Sequence, residues 1–156
     1  MIEKFLLNIT AQAHCDIPCG IYEPTPAKIA AKTVQRMAEQ ITALKGPEEG
    51  ESAHQQFVNS IQRRIAIKET HAELCKKELN TLWTDFFKQE HLVKFPRLHD
   101  TFWKATKLCS KNKQEVNVDA AKELCAAVDE VAKMFYEAKG YPERYDAYQK
   151  LTDKLY

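Results

Sequence analysis

The chain has 156 residues, with 23 Lys and Arg against 22 Asp and Glu. That length suits one domain able to bury a real core, and charges that nearly cancel argue against a protein living on nucleic acid or an anionic membrane. Only four glycines and six prolines stand beside 44% hydrophobic residues, which favours folded helix over disorder.

Residues 1–13, "MIEKFLLNITAQA", differ in character from the rest of the chain and end in Ala11-Gln12-Ala13, which resembles a signal-peptidase site. The apolar stretch, Phe5 to Leu7 with Ile9, is short for the core of a secretory signal, and Lys4 is the one basic side chain. A short leader removed by a maturation protease is the expectation. No run approaches the ~20 apolar residues of a membrane span.

Residues 14–22, "HCDIPCGIY", crowd a histidine, two cysteines and an aspartate around a proline and a glycine. They read as an irregular hook. Pro24 and Pro26 then suit a first helical turn, where a missing N–H costs nothing. Ile29, Thr33 (through its methyl), Met37, Ile41 and Leu44 predict one helical stripe, ended by Gly46 and Pro47. Ser52 is placed to cap a second, long helix carrying Phe57, Ile61, Ile65, Ala72, Cys75, Leu79, Leu82 and Phe86.

Pro96 breaks the pattern, because it pushes the preceding residue out of helical geometry. A third helix from about Arg97 carries Leu98, Phe102, Ala105 and Cys109, followed by polar "SKNKQEVN". Asn117 can cap a fourth, whose stripe of Ala121, Leu124, Val128, Val131, Phe135 and Ala138 has the spacing of left-handed helix packing. Gly140 terminates it. The expected fold is therefore all-α: an antiparallel up-down four-helix bundle over residues 23–140. Residues 141–156 form a C-terminal extension, with Tyr145, Tyr148, Leu151 and Leu155 on one side of a short helix.

Five cysteines fit a disulfide framework poorly. Cys75, Cys109 and Cys125 sit at apolar helical positions and read as buried, reduced thiols, which implies a reducing, cytoplasmic setting. Cys15 and Cys19 share a loop with His14. By spacing alone they could be half of a zinc site, a local disulfide or a simple turn. If His14 is the first residue, its free amine and the Cys15 amide nitrogen can bind one metal side by side. The Cys15 and Cys19 sulfurs complete a planar set, with the His14 imidazole in axial reach. Planar nitrogen and sulfur donors suit Ni(II) or Cu(II) rather than tetrahedral zinc.

"HCDIPCGIYEP" resembles the nickel hook of nickel-containing superoxide dismutases. "LWTDFFK" (Leu82 to Lys88), followed by "HLVKFPRLH" (His91 to His99), is similar to the end of that family's second helix and its link to the third. A leader ending in Ala before His also matches the family's precursors. The likeness is close up to His99 and one of pattern only in the fourth helix. The tail after Gly140 has no counterpart.

The resemblance implies nickel held by the His14 amine and imidazole, the Cys15 amide and sulfur, and the Cys19 sulfur. It implies a cis Ile17–Pro18 peptide, a turn completed by Gly20, and Asp16 bonded within the hook and to the bundle. Tyr22 would stand over the open face, admitting small anions and ordering water, and Lys88 would steer the substrate. The implied activity is conversion of superoxide to dioxygen and hydrogen peroxide by Ni(II)/Ni(III) cycling in a homohexamer. Two departures stand out. Where the family supports its axial imidazole with a glutamate and an arginine, this chain has Ala30 and His71, making His71 the candidate substitute. A family tyrosine is replaced by Phe86.

His91 and His99 read as surface or interface packing, and Trp83 and Trp103 as core or subunit contacts. Two rivals from other classes are a nickel or copper carrier without turnover, and a helical structural protein with a local disulfide.

Overall fold

The computed structural model describes residues 20–155. Residues 1–13, the hook residues His14, Cys15, Asp16, Pro18 and Cys19, and the Ile17–Pro18 peptide lie outside the described residues. Five α-helices occur among the described residues: α1 (Thr25–Thr42), α2 (Glu51–Thr81), α3 (Leu98–Gln114), α4 (Val118–Ala138) and α5 (Arg144–Thr152). Each of the first four packs on its sequence neighbours, and α4 closes back on α1, which gives the expected bundle.

The inward face of α1 differs from the expected stripe. Ala27, Ala30, Ala31, Val34 and Ala38 are buried, whereas Ile29 is 47% exposed and Thr33 and Met37 lie at the edge. Small side chains let the helix backbones approach closely, so the alanines take the centre and the bulky residues the rim. Pro24 precedes the helix and Pro26 occupies its first turn, as the prolines predict.

Helix α2 begins one residue before Ser52, after Gly50, and no side-chain cap forms there. Its buried line of Ala72, Cys75, Leu79 and Leu82 follows the sequence pattern, with Phe57, Ile61 and Ile65 half-buried. The pattern does not reach Phe86 as an α-helix. Leu82–Phe86 widens into one π-helical turn, closed by the Phe87 N–H donating to the Leu82 carbonyl at 3.1 Å. A 3₁₀ segment, Gln89–Val93, then leads to α3.

Helix α3 starts after Arg97 as predicted, but continues through Gln114 and so takes in most of the polar stretch assigned to a link. Two buried polar groups account for that extension. Lys68, 1% exposed, donates from Nζ to the Asn112 and Lys113 carbonyls, satisfying acceptors left open near a helix end. Asn112 donates from Nδ2 to the carbonyls of Leu108 and Ala120, tying α3 to α4. Burial holds the Lys68 ammonium below its ordinary lysine value.

Asn117 caps α4, its Oδ1 accepting from the Ala120 N–H at 3.0 Å. Ala121, Leu124, Val128, Val131 and Phe135 are fully buried, as the seam requires. Gly140 ends the helix at φ +82°, where the Tyr141 N–H reaches back to the Tyr136 carbonyl at 2.9 Å. That left-handed turn favours glycine and reverses the chain. Helix α5 then folds onto α1 and α4 with Tyr148 and Thr152 buried. Of the four residues expected to face inward, Leu151 and Leu155 are exposed instead.

Candidate metal centre

The described chain enters at Gly20, with φ +65° and nothing within 4 Å of where a Cβ would stand. The backbone conformation, not crowding, calls for glycine there. Ile21 is exposed, and Tyr22 is half-buried with its ring 5.7 Å from that of Phe86. Lys139, at the end of α4, donates from Nζ to the Tyr22 carbonyl at 3.4 Å. Glu23 is held most firmly. Its Oε1 accepts from the Tyr136 hydroxyl and from Thr25 Oγ1, the latter at 2.7 Å.

A cleft of 190 Å³ opens beside this segment, between the start of α1 and the end of α2. It is lined by Ile21, Tyr22, Pro26, Glu78, Thr81 and Leu82, among others. The π turn forms its far boundary and sets Phe86 among Tyr22, Phe87, His91 and Phe135. Lys88 follows in extended conformation, with an exposed side chain. Its backbone N–H donates to His91 Nδ1 at 3.0 Å, which orients that imidazole flat against Phe86.

Of the residues singled out by sequence, Tyr22 thus meets Phe86 at one end of the bundle, with Gly20 two residues before Tyr22 and Lys88 two residues after Phe86. His71 is half-buried on α2, seven residues before Glu78 and so roughly 10 Å along the helix from the cleft. Its Nδ1 lies 2.9 Å from the Ile67 carbonyl. A carbonyl only accepts, so Nδ1 carries the proton, and Nε2 is the nitrogen left for another partner. Ala30 is fully buried and contributes no polar group.

Sequence reasoning missed three residues at the root of the hook: Glu23, Tyr136 and Lys139. Glu23 lies inside the stretch that carries the family likeness, so it was within reach. Tyr136 sits beside a seam position, and nothing in the pattern marks its hydroxyl.

His99, exposed, accepts at Nδ1 from Trp83 Nε1 at 2.9 Å, and Trp83 stacks on Phe102. His91 and His99 thus serve packing. Trp103 is 54% exposed, with Lys107 over its ring. Cys75, Cys109 and Cys125 are buried and unpaired as disulfides. The hydrogen bond with Cys109, then burial, pushes the Cys75 thiol well above the ordinary thiol range, and burial pushes Cys125 up to about 11. Such thiols are poor metal ligands, because the thiolate is the ligand. Among the described residues no group of three or more His, Cys, Asp or Glu is placed to hold a metal.

The profile of the nickel-containing superoxide dismutases matches residues 9–139. The chain belongs to the nickel-containing superoxide dismutase family. It is 33% identical over 135 residues to the superoxide dismutase [Ni] of Streptomyces seoulensis, spanning 86% of this chain and 95% of that one. The superoxide dismutase [Ni] of Streptomyces coelicolor is similar to the same extent. Among solved structures, native nickel superoxide dismutase superposes with a TM-score of 0.69 at 32% identity, over 81% of this chain and 99% of that one. The oxidised state of a nickel-containing superoxide dismutase gives 0.70 at 32% identity, with the same coverage. The family match takes in α4, where the sequence likeness is one of pattern, and ends just before Gly140. No described helix is long and apolar enough to cross a membrane.

Proposed function

We propose that this chain, cut between Ala13 and His14, dismutes superoxide at a nickel ion held by its new amino terminus. Membership in the family, with the hook "HCDIPC" intact, carries this reading. The donor set fits the metal: an amine, an amide nitrogen and two thiolates suit a planar nickel ion, with an imidazole beside them. Of five cysteines, three are buried in the bundle, which leaves Cys15 and Cys19 to act as thiolate ligands. Nickel bound there would supply reversible one-electron exchange between its divalent and trivalent states.

The rest falls to the chain's own groups. Residues 14–19 reach at most ~20 Å when extended, enough to return His14 from Gly20 toward His71. His71 would accept a hydrogen bond from the His14 imidazole through Nε2, in place of the family's ion-paired support. Asp16 would bond within the hook and to the bundle. Tyr22 would screen the open face, passing a small anion and ordering the water that supplies protons. Lys88, with Lys139 nearby, would raise the local concentration of an anionic substrate. Two superoxide anions and two protons leave as dioxygen and hydrogen peroxide. A homohexamer, a maturation protease and a cytoplasmic location complete the proposal.

The test is a chain produced to begin at His14, compared with the chain beginning at Met1, each supplied with nickel. One nickel per chain and rapid superoxide consumption only in the trimmed form are expected. Nickel without turnover would make the protein a carrier. No nickel in the trimmed form would end the reading. Mass spectrometry of protein from nickel-replete cells would read the natural terminus and the metal together.

A further inference from the structure

Helix α5 lies beyond the residues that match the family, which end at 139. It is nonetheless firmly docked. Tyr148, 3% exposed, donates from its hydroxyl to Asp129 Oδ1 at 2.9 Å. The other oxygen of that carboxylate receives Lys28 Nζ at 2.6 Å, so α5, α4 and α1 meet at one side chain. On its other side the Tyr148 ring lies 5.9 Å from the ring of Tyr136. Tyr136 in turn donates to Glu23, directly after Tyr22 in the chain.

We propose that α5 is a strut for the root of the hook, walling in Tyr136 so that its bond to Glu23 fixes the backbone under Tyr22. Glu23 and Tyr136 are then positioning residues rather than catalytic ones. A hydrogen bond to a carboxylate is charge-assisted and strengthens where water is excluded. Tyr136 is 5% exposed with the Tyr148 ring beside it, so the hydroxyl side of that bond is sheltered although Glu23 is exposed. Without α5 the same hydroxyl and carboxylate would be hydrated separately, and the segment from Gly20 to Glu23 would lose its firmest anchor to α4. The Lys139 bond to the Tyr22 carbonyl would remain, longer and at the exposed surface.

The functional consequence rests on the proposed role of Tyr22, but the mechanical claim does not, and the experiment separates the two. Backbone order parameters are measured by ¹⁵N relaxation on the nickel-free full chain, its Tyr136→Phe and Glu23→Gln variants, and a chain ending at Gly140. The expected result is a fall at Ile21, Tyr22 and Glu23 from about 0.85 to below about 0.6 in the truncated and Tyr136→Phe forms. Values within α3 should not change. Glu23→Gln should lie between, because a carboxamide oxygen still accepts. Unchanged order at residues 21–23, or an equal loss throughout the bundle, would overturn the proposal. If truncation prevents folding, Tyr148→Leu, which removes the α5 ring beside Tyr136, takes its place and should give the same fall at residues 21–23, unchanged order there overturning the proposal. In the trimmed, nickel-loaded protein, Tyr136→Phe should then lower turnover about tenfold. Should nickel fail to bind at all, the order-parameter contrast would still stand or fall by itself.

Discussion

The ring of Tyr22 lies 5.7 Å from that of Phe86, tilted by 56°. This pair joins the root of the hook to the π turn at the end of α2, and Phe86 is the position where the resemblance implies a tyrosine. Phe86 is half-buried among Phe87, His91 and Phe135. Phe86→Tyr should leave thermal stability nearly unchanged and alter turnover by a few-fold, on the order of the smaller effects seen for groups beside a metal's ligands. The pH profile of superoxide consumption in the trimmed, nickel-loaded enzyme is the measurement. An identical profile would show that the hydroxyl has no part in proton supply here.

His71 offers a second test. With Nδ1 committed to the Ile67 carbonyl, its remaining nitrogen can only accept while the ring is neutral. His71→Ala should keep the helix and the nickel content, yet change the anisotropy of the trivalent-nickel paramagnetic spectrum and lower turnover about tenfold or more. His71→Gln should restore part of both, since its amide oxygen can also accept. A spectrum indistinguishable from the parent would remove His71 from the site.

Lys28 is 3% exposed and paired with Asp129, so removal of one partner leaves a charge without its match. Asp129→Asn preserves an acceptor for Tyr148 but removes the negative charge. It should cost about 3 kcal/mol in urea unfolding. Adding Lys28→Met should recover most of that loss, because the unmatched ammonium is gone. Equal stability of the single and double variants would mean that the pair is solvated.

Alkaline stability should depend on Cys125. Burial raises its thiol from 9.0 to about 11, so the folded state keeps a proton that the unfolded chain releases. The stabilisation is complete below pH 9.0 and is lost as pH rises through about 11. That two-unit difference corresponds to about 3 kcal/mol. Tyr136 and Tyr148 are raised by burial too, then by their carboxylate partners, and act in the same direction at higher pH. Lys68 acts oppositely, its lowered value favouring the folded state as pH approaches 10.5. Comparing Cys125→Ala with the parent between pH 8 and 11 cancels those contributions. Parallel curves would refute the assignment.

Much of this architecture is legible in the chain, and the residues show why some of it is not. The α4 seam is read directly because Leu124, Val128, Val131 and Phe135 are large and regularly spaced. The α1 face misleads because its buried residues are mostly alanines, which hydrophobic periodicity weighs lightly beside Ile29 and Met37. Asn117 announces its cap, whereas Ser52 has cap chemistry but falls one residue inside its helix. The candidate ligands His14, Cys15 and Cys19 stand out because so few residue types bind nickel and these are close together in the chain. Glu23, Tyr136, Asp129 and Tyr148 come from distant parts of the chain, and no local spacing brings a donor to its acceptor. The π turn leaves no mark in the pattern of buried residues before it.

That wide turn has a consequence for how the chain is phased beyond it. Each residue of an ordinary helix advances about 100° around the axis. The wide turn absorbs one residue, so closing the same stretch as a regular helix with none removed would swing everything downstream by roughly that angle. Phe86 would rotate away from Tyr22 and Lys88 would leave the cleft end of the bundle, although no atom of either had been altered. The placing of Phe86 and Lys88 thus depends on the width of one turn as well as on the kinds of residue in it.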